Sequence, residues 1–76
     1  MVDLNSLILY SKKTCPLCDE VRDLVSLFHV ELKEVNIEDD PYLHQKYMFE
    51  IPVLKIGNEE LDYRQINYFE LEKRLQ

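Results

Sequence analysis

The first third of this chain pairs a short apolar run with a proline that suits the start of a helix. Leu7–Tyr10 is a run of the kind that a buried strand shows. The polar residues from Ser11 to Thr14 end it, and Pro16 fits the first position of a helix, where its missing N–H would have had no partner. This pattern predicts a strand, a loop and an amphipathic helix, whose apolar stripe is Leu17, Val21, Leu24, Val25 and Phe28.

Three further strands are predicted downstream. Glu31 to Ile37 carries several charges, which favours a place at a sheet edge, where charge discourages unwanted pairing. Ile51-Pro52 opens a third strand, which is Val53 to Ile56. Gly57-Asn58 is a turn dipeptide, and Glu59 to Tyr63 returns as the fourth strand. The last two strands should therefore form an antiparallel hairpin.

Two more helices complete the predicted order. Asp40-Pro41 starts a short helix that runs through Tyr47. Asn67, as N-cap with Glu70 three residues later, starts the last helix with a variant of the capping box. The order β-α-β-α-β-β-α favours parallel pairing of the first two strands. We therefore expect an α/β fold in a single domain of residues 1–76, with a four-stranded mixed sheet and helices on both faces.

The charge composition of the chain limits the kinds of partner that it is expected to bind. The 76 residues carry fifteen Asp and Glu against nine Lys and Arg, a formal net charge of -6. Such a chain is repelled by phosphate backbones and anionic lipid surfaces, so we expect no nucleic-acid or membrane partner. No apolar run approaches the ~18 residues that span a bilayer, and Met1 to Asn5 does not resemble a secretory signal. We expect a soluble, cytoplasmic monomer.

Cys15 and Cys18 carry the clearest chemical signal. A disulfide between residues this close removes little entropy from the unfolded chain, so the pair is not predicted to hold the fold together. Cys15 would be the N-cap of the first helix, with its sulfur able to accept the N–H of Cys18. The positive end of the helix dipole, with Lys12 and Lys13 just upstream, favours the thiolate. We expect the pKa of Cys15 to lie below ~8.5, with Cys15 as nucleophile and Cys18 as resolving thiol.

Two other interpretations of the cysteines stay open at this point. They could be half of a zinc site, but structural zinc takes four ligands and the chain has no second CxxC. His29 and His44 are the only imidazoles, and they lie too far apart for the usual pair of zinc histidines. We expect His29 to end the first helix and His44 to face solvent. The cysteines could also be small packing residues.

The segment Tyr10–Cys18, with proline directly after the first cysteine, resembles the active-site segment of the glutaredoxins, which have the thioredoxin fold. Ile51-Pro52-Val53 falls at that family's cis-proline signature, and Gly57-Asn58 at its hairpin turn. More narrowly, the chain is similar to short glutaredoxin-like proteins whose substrates are mostly unassigned. The resemblance implies a thiol-disulfide oxidoreductase that acts by dithiol exchange on protein or glutathione disulfides. It implies no cofactor, although glutathione could serve as a co-substrate.

The resemblance also implies substrate-binding roles for Lys12, Ile51 and Pro52. Lys12 stands where many glutaredoxins have a basic residue for a glutathione carboxylate. A cis bond before Pro52 would leave the N–H and C=O of Ile51 free to pair with an extended substrate backbone. The alternative interpretations are a solvated lysine and a proline that merely begins a strand.

One departure from the family favours a second hypothesis. Glutaredoxins carry Gly-Gly after the fourth strand, where it cradles glutathione, whereas this chain has Asp62-Tyr63-Arg64-Gln65. Asp62 and Tyr63 bring side chains into that space, which does not favour tight glutathione binding. Arg64 is either a substitute anion contact or a surface arginine. The second hypothesis is a thioredoxin-fold binding or adaptor module with a vestigial or regulatory cysteine pair.

Overall fold

The computed structural model describes residues 6–75. Its elements follow the predicted β-α-β-α-β-β-α order. They are β1 (Ser6–Ser11), α1 (Pro16–Val25), β2 (Glu31–Asn36), α2 (Pro41–Tyr47), β3 (Val53–Ile56), β4 (Glu59–Leu61) and α3 (Tyr68–Leu75), with single 3₁₀ turns at Ser26–Phe28 and Ile37–Asp39. Among these residues no helix is long and apolar enough to cross a membrane.

The four strands form one mixed sheet in the order β2-β1-β3-β4. β1 and β2 are parallel and end together at the pair Ser11 and Asn36. β3 runs antiparallel to both of its neighbours, with Val53 opposite Tyr10 and Leu54 opposite Leu61. The mixed sheet and the edge position of β2 are thus confirmed. One end of the sheet therefore collects the ends of β1, β2 and β4 and the start of β3, and we call it the site end.

Side-chain alternation divides the core into two clusters, one on each face of the sheet. The larger cluster lies between the sheet and helices α1 and α3, with the buried residues Leu7, Leu9, Val21, Val25, Leu54, Ile56, Leu61 and Leu71. The smaller cluster lies under α2, where Ile37, Tyr47 and Val53 pack with Tyr10, Leu43 and Ile51. Helices therefore cover both faces, as predicted.

Polar side chains fix where the helices begin and end. Asp40 caps α2 by accepting the N–H of Tyr42 at 2.9 Å, and Asn67 accepts the N–H of Glu70 at 2.8 Å before α3. The other half of the capping box is not made, because the Glu70 carboxylate pairs with Arg74 and Lys73. His29 follows the 3₁₀ turn after α1 in the left-handed region at φ 52°. It ends that helical segment, as predicted.

Two strands are shorter than their sequence pattern predicts. β4 ends at Leu61 and not at Tyr63, because the Asp62 carbonyl accepts the N–H of Gln65 at 2.9 Å and the Asp62 carboxylate accepts the N–H of Arg64. β2 ends at Asn36, whose side chain accepts the N–H of Glu38 and opens a 3₁₀ turn. In both places a local side-chain bond to the backbone competes with the ladder.

Candidate redox site

Cys15 is the N-cap of α1, as its position before Pro16 predicts. Its backbone is extended (φ -116°, ψ 99°), and its Sγ accepts the backbone N–H of Cys18 at 3.2 Å. The two cysteines are joined by a disulfide, with their Cα atoms 5.2 Å apart. The structure therefore shows the oxidised form, with the first sulfur at the positive end of the helix dipole.

The two sulfurs differ in their access to solvent. Cys15 is half-buried, whereas Cys18 has 0% of its surface exposed. The buried stripe of α1 runs through Cys18, Val21 and Val25, at helical spacing. Leu17, which the sequence pattern places on that stripe, is instead 49% exposed. The residue directly before the buried Cys18 therefore presents an apolar side chain to solvent.

The loop between β1 and Cys15 carries two lysines. Lys12, Lys13 and Thr14 are exposed, and Thr14 adopts the left-handed region at φ 54°. Lys12 and Lys13 line a cavity of about 250 Å³ at the site end. The predicted contact residue Lys12 thus lies three residues from Cys15 on the same loop. We call this space the lysine cavity, and its lining is Ser11, Lys12, Lys13, Arg22, Glu34 and Asn36.

A charged network beneath the lysine cavity ties α1 to β2. Arg22 donates two hydrogen bonds to the Glu34 carboxylate, one of them at 2.9 Å, and one to Asp19 at 2.7 Å. Ser11 at the end of β1 donates to the same carboxylate at 3.4 Å. The hydrogen bond from Arg22 holds the pKa of Glu34 below its usual value. Residue spacing does not predict this pair, because a charged residue on an amphipathic helix or an edge strand is ordinary.

Ile51 and Pro52 lie directly before β3, which starts at the site end. The peptide bond between them is cis, and Pro52 is buried. The expectation that both backbone groups of Ile51 are free is wrong for the N–H, which donates to the carbonyl of Tyr47 at 3.1 Å. α2 ends at Tyr47, so its carbonyl has no partner further along the helix and accepts from the loop. Within residues 6–75 no donor reaches the Ile51 carbonyl.

A second cavity, of about 290 Å³, opens between α2 and the far edge of the sheet. Tyr47 lies in its wall, stacked on Tyr10 with ring centroids 4.5 Å apart, and its hydroxyl donates to Glu60 at 2.6 Å. Burial, and then the hydrogen bond to Glu60, raise the pKa of Tyr47 well above its usual value. We call this space the acidic cavity, and its lining is Lys46, Tyr47, Glu50, Val53, Glu60, Asp62 and Gln65.

The turn after β4 is closed by its own side chains. Asp62 accepts the N–H of Arg64 at 2.9 Å and pairs with its guanidinium at 3.0 Å, while the Gln65 side chain accepts the N–H of Asp62. The Arg64 guanidinium lowers the pKa of Asp62. Arg64 is exposed and also pairs with Glu50 at 3.4 Å. It is therefore a surface arginine whose charge is already paired with two carboxylates of the same chain.

Nothing in the described chain builds a metal centre. Within residues 6–75 no group of three or more His, Cys, Asp or Glu side chains is placed to hold a metal ion. His29 and His44 are both exposed. The zinc hypothesis therefore gains no support from this part of the chain.

The comparison that decides the family covers nearly the whole chain. Residues 6–76 match the profile of the Glutaredoxin-like domain family (DUF836). The chain belongs to this family. The match includes both cysteines and the Ile51-Pro52 bend, so the resemblance drawn from the sequence is confirmed.

Solved structures agree with this glutaredoxin-like assignment. Protein XcR50 from X. campestris is 30% identical, with a TM-score of 0.78 over 88% of this chain and 91% of that one. Protein Ne2328 from Nitrosomonas europaea is 24% identical, with a TM-score of 0.79 over 100% and 96%. A glutaredoxin from Archaeoglobus fulgidus is 15% identical, with a TM-score of 0.71 over 92% and 85%. The last two likenesses show the fold alone, which is the predicted thioredoxin/glutaredoxin-like fold.

Proposed function

We propose that this glutaredoxin-like protein is a thiol-disulfide oxidoreductase that acts by dithiol exchange. The observation that carries the proposal is the placement of Cys15, which is half-buried, caps α1 and accepts the N–H of Cys18 while bonded to that buried residue. A sulfur at a helix N-terminus is favoured as the thiolate, and only the thiolate attacks a disulfide. A cysteine that served packing alone would not need this position.

The reaction begins with the reduced pair. The Cys15 thiolate attacks one sulfur of a substrate disulfide, so that a Cys15–substrate bond forms and the other substrate sulfur leaves as a thiolate. The Cys18 sulfur then attacks the Cys15 sulfur, and its proton passes to the departing substrate sulfur, so the second half of the substrate leaves as a thiol. Two electrons pass from the protein to the substrate, and the Cys15–Cys18 disulfide remains. A thiol reductant must return two electrons before the next turnover.

The neighbouring residues supply contacts to the substrate in this proposal. The Ile51 carbonyl accepts a hydrogen bond from the substrate backbone, as an added strand would donate. Lys12 offers its ammonium to a carboxylate of the substrate. We place the activity in the cytoplasm, where thiol reductants keep catalytic cysteines reduced, and we propose that the protein acts as a monomer.

The test uses two cysteine variants. Cys15→Ser should abolish reduction of a protein disulfide, because no nucleophile remains. Cys18→Ser should instead accumulate a mixed disulfide at Cys15, because the resolving thiol is gone. Mass spectrometry of adducts from a cell extract, with added glutathione as a second sample, identifies the partner. Full reductase activity in Cys15→Ser would contradict the proposal.

The second candidate is a thioredoxin-fold adaptor whose cysteines regulate binding or have lost their role. The closed turn at Asp62 favours it, because the N–H groups of Asp62, Arg64 and Gln65 are already bonded within the turn and are not open to a glutathione carboxylate. The pKa of Cys15 in the reduced protein separates the two candidates. A value near the ~8.5 of a free thiol supports the adaptor, and a depressed value supports the enzyme.

A further inference from the structure

Two cavities of opposite charge are lined by residues close in sequence to Cys15 and to Pro52. Three cations and one carboxylate line the lysine cavity, whereas three carboxylates and one lysine line the acidic cavity. The first includes Lys13, two residues before Cys15, and the second includes Val53, the residue after Pro52. The lysine cavity lies on the α1 face at the β2 side of the sheet, and the acidic cavity lies on the α2 face at the β4 side. The loop before Cys15 contributes to the first cavity, and the loop that contains Pro52 leads into the second.

The positive charge of the lysine cavity is open to a ligand. Arg22 is committed to Glu34 and Asp19, so that group is neutralised inside the protein. Lys12 and Lys13 are exposed, and within residues 6–75 neither forms an ion pair. Two ammonium groups are therefore available to an anion on this flank.

The acidic cavity keeps a negative surplus. Glu50 and Asp62 share a single guanidinium, that of Arg64, so two carboxylates are opposed by one cation. Glu60 takes its hydrogen bond from the neutral hydroxyl of Tyr47, which removes none of its charge. The ammonium of Lys46 lies 5.1 Å from the centroid of the Tyr47 ring and is the one cation in the wall.

We propose that the substrate is a protein disulfide whose reactive cysteine has an acidic residue on one side and a basic residue on the other. The acidic side chain enters the lysine cavity and the basic side chain enters the acidic cavity. This proposal rests on the disulfide exchange proposed above and adds the substrate class. Complementary charge of this kind selects a partner and speeds encounter more than it adds affinity.

The distance between the cavities fits a polypeptide and not a tripeptide. Three strand spacings of about 4.8 Å separate β2 from β4, and the cavities lie on opposite faces of the sheet, so they are more than about 14 Å apart. An extended chain advances about 3.3 Å per residue, so about five residues span the site with the cysteine in the middle. Three residues reach about 10 Å and fill only one cavity, which disfavours glutathione as the preferred substrate.

Four cysteine peptides test the proposal. Each carries its charges two residues before and after the cysteine, as Asp/Lys, Lys/Asp, Asp/Asp or Lys/Lys, and its thiol is activated with thionitrobenzoate. Attack by reduced protein at the peptide sulfur releases the coloured thionitrobenzoate anion. At least one mixed-charge peptide should react about three- to tenfold faster than both same-charge peptides at low salt, and the difference should shrink at high salt. Four rates within twofold of each other would overturn the proposal.

Charge reversals locate the effect. Lys13→Glu and Glu50→Lys should each slow the preferred peptide about threefold or more, and the double variant should favour the opposite charge order. Lys33→Glu and Glu31→Lys are matched controls, because these exposed β2 residues line neither cavity and change the net charge equally. Equal effects of variants and controls would show a net-charge effect and overturn the proposal.

The same assay separates this proposal from the one on which it depends. If the protein releases thionitrobenzoate from none of the peptides, disulfide exchange itself fails, and charge selection falls with it. If it reacts with all four at one rate, disulfide exchange stands and charge selection alone is wrong. In the Cys18→Ser variant the mixed disulfide accumulates, and its mass confirms that Cys15 has replaced thionitrobenzoate on the peptide sulfur.

Discussion

The backbone N–H of Cys18 lies 3.2 Å from the sulfur of Cys15 and donates to it. This contact takes the place of the oxygen that usually caps a helix, so the sulfur occupies the point where the helix dipole is most positive. The contact can persist in the reduced protein because it is made by the backbone of α1. We therefore expect it to stabilise the thiolate of the first cysteine more than that of the second.

The pKa of Cys15 in the reduced protein should therefore lie below the ~8.5 of a free thiol. Alkylation rates measured against pH in Cys18→Ser give this value directly. Lys13→Met should raise the pKa of Cys15 by roughly a few tenths of a pH unit, because removing a nearby cation destabilises the thiolate. Lys33→Met is the control, since Lys33 lies on β2 outside both cavities. A wild-type value at or above that of a free thiol would contradict this prediction.

The Arg22–Glu34 pair should make stability depend on pH on the acid side. Arg22 lowers the pKa of Glu34 from 4.5 in the folded state. The stabilisation is therefore present above about pH 4.5 and is lost as pH falls through the folded-state pKa. Both side chains are more than a third exposed, so screening limits the gain in stability to about 1 kcal/mol or less.

Urea unfolding of wild type and Glu34→Gln across the acid range checks this dependence. The free energy of unfolding should differ between wild type and Glu34→Gln at neutral pH, and this difference should disappear in acid. Glu31→Gln serves as the control, because Glu31 is exposed at the other end of β2 and forms no ion pair within residues 6–75. A difference that stays constant through the titration would mean that the charge of Glu34 is not what stabilises the fold.

Tyr47→Phe should destabilise the protein by about 0.5–1.5 kcal/mol, the usual net value of one hydrogen bond. The ring remains to stack on Tyr10, while the 2.6 Å bond to Glu60 is lost. Thermal or urea unfolding measures the change, with Tyr42→Phe as the exposed control. Because the pKa of Tyr47 is raised, alkaline absorbance should also show one fewer late-titrating phenol in the variant. Identical stability in both variants would contradict the role given to this bond.

Asn67→Ala should cost about 0.5–2 kcal/mol, the range measured for loss of an N-cap side chain. The Asn67 amide oxygen accepts the N–H of Glu70 at 2.8 Å, and no carboxylate returns the bond. Asn67→Asp keeps an acceptor at the same atom and should retain most of the stability. If Asp and Ala substitutions lowered the unfolding midpoint equally, capping would not be what Asn67 contributes.

Local rules predicted most of the secondary structure and the principal site residue. Two or three neighbouring residues suffice to predict Asn67 and Cys15 as caps and Asp40-Pro41 as the start of a helix, and the structure confirms all three. The family resemblance then brought Ile51-Pro52 to the same end of the sheet as the cysteines. Such features depend on short stretches of chain, which is why a single sequence suffices for them.

Features that depend on several elements at once were missed. The contact between Arg22 and Glu34 requires the register of β2 on β1 and the rotation of α1 over both. The exposure of Leu17 depends on which turn of α1 projects past the sheet. Ile51 loses its free N–H because α2 ends close enough for Tyr47 to accept it. None of these distances can be obtained from residue spacing alone.

The complete enclosure of Cys18 fixes the order in which the two sulfurs meet outside reagents. A small oxidant or electrophile arriving from solvent reaches Cys15 first, and the inner sulfur reacts only through its neighbour. Oxidative damage and disulfide exchange would therefore both begin at the Cys15 sulfur. A covalent inhibitor of this protein would therefore need to fit only the surroundings of the Cys15 sulfur.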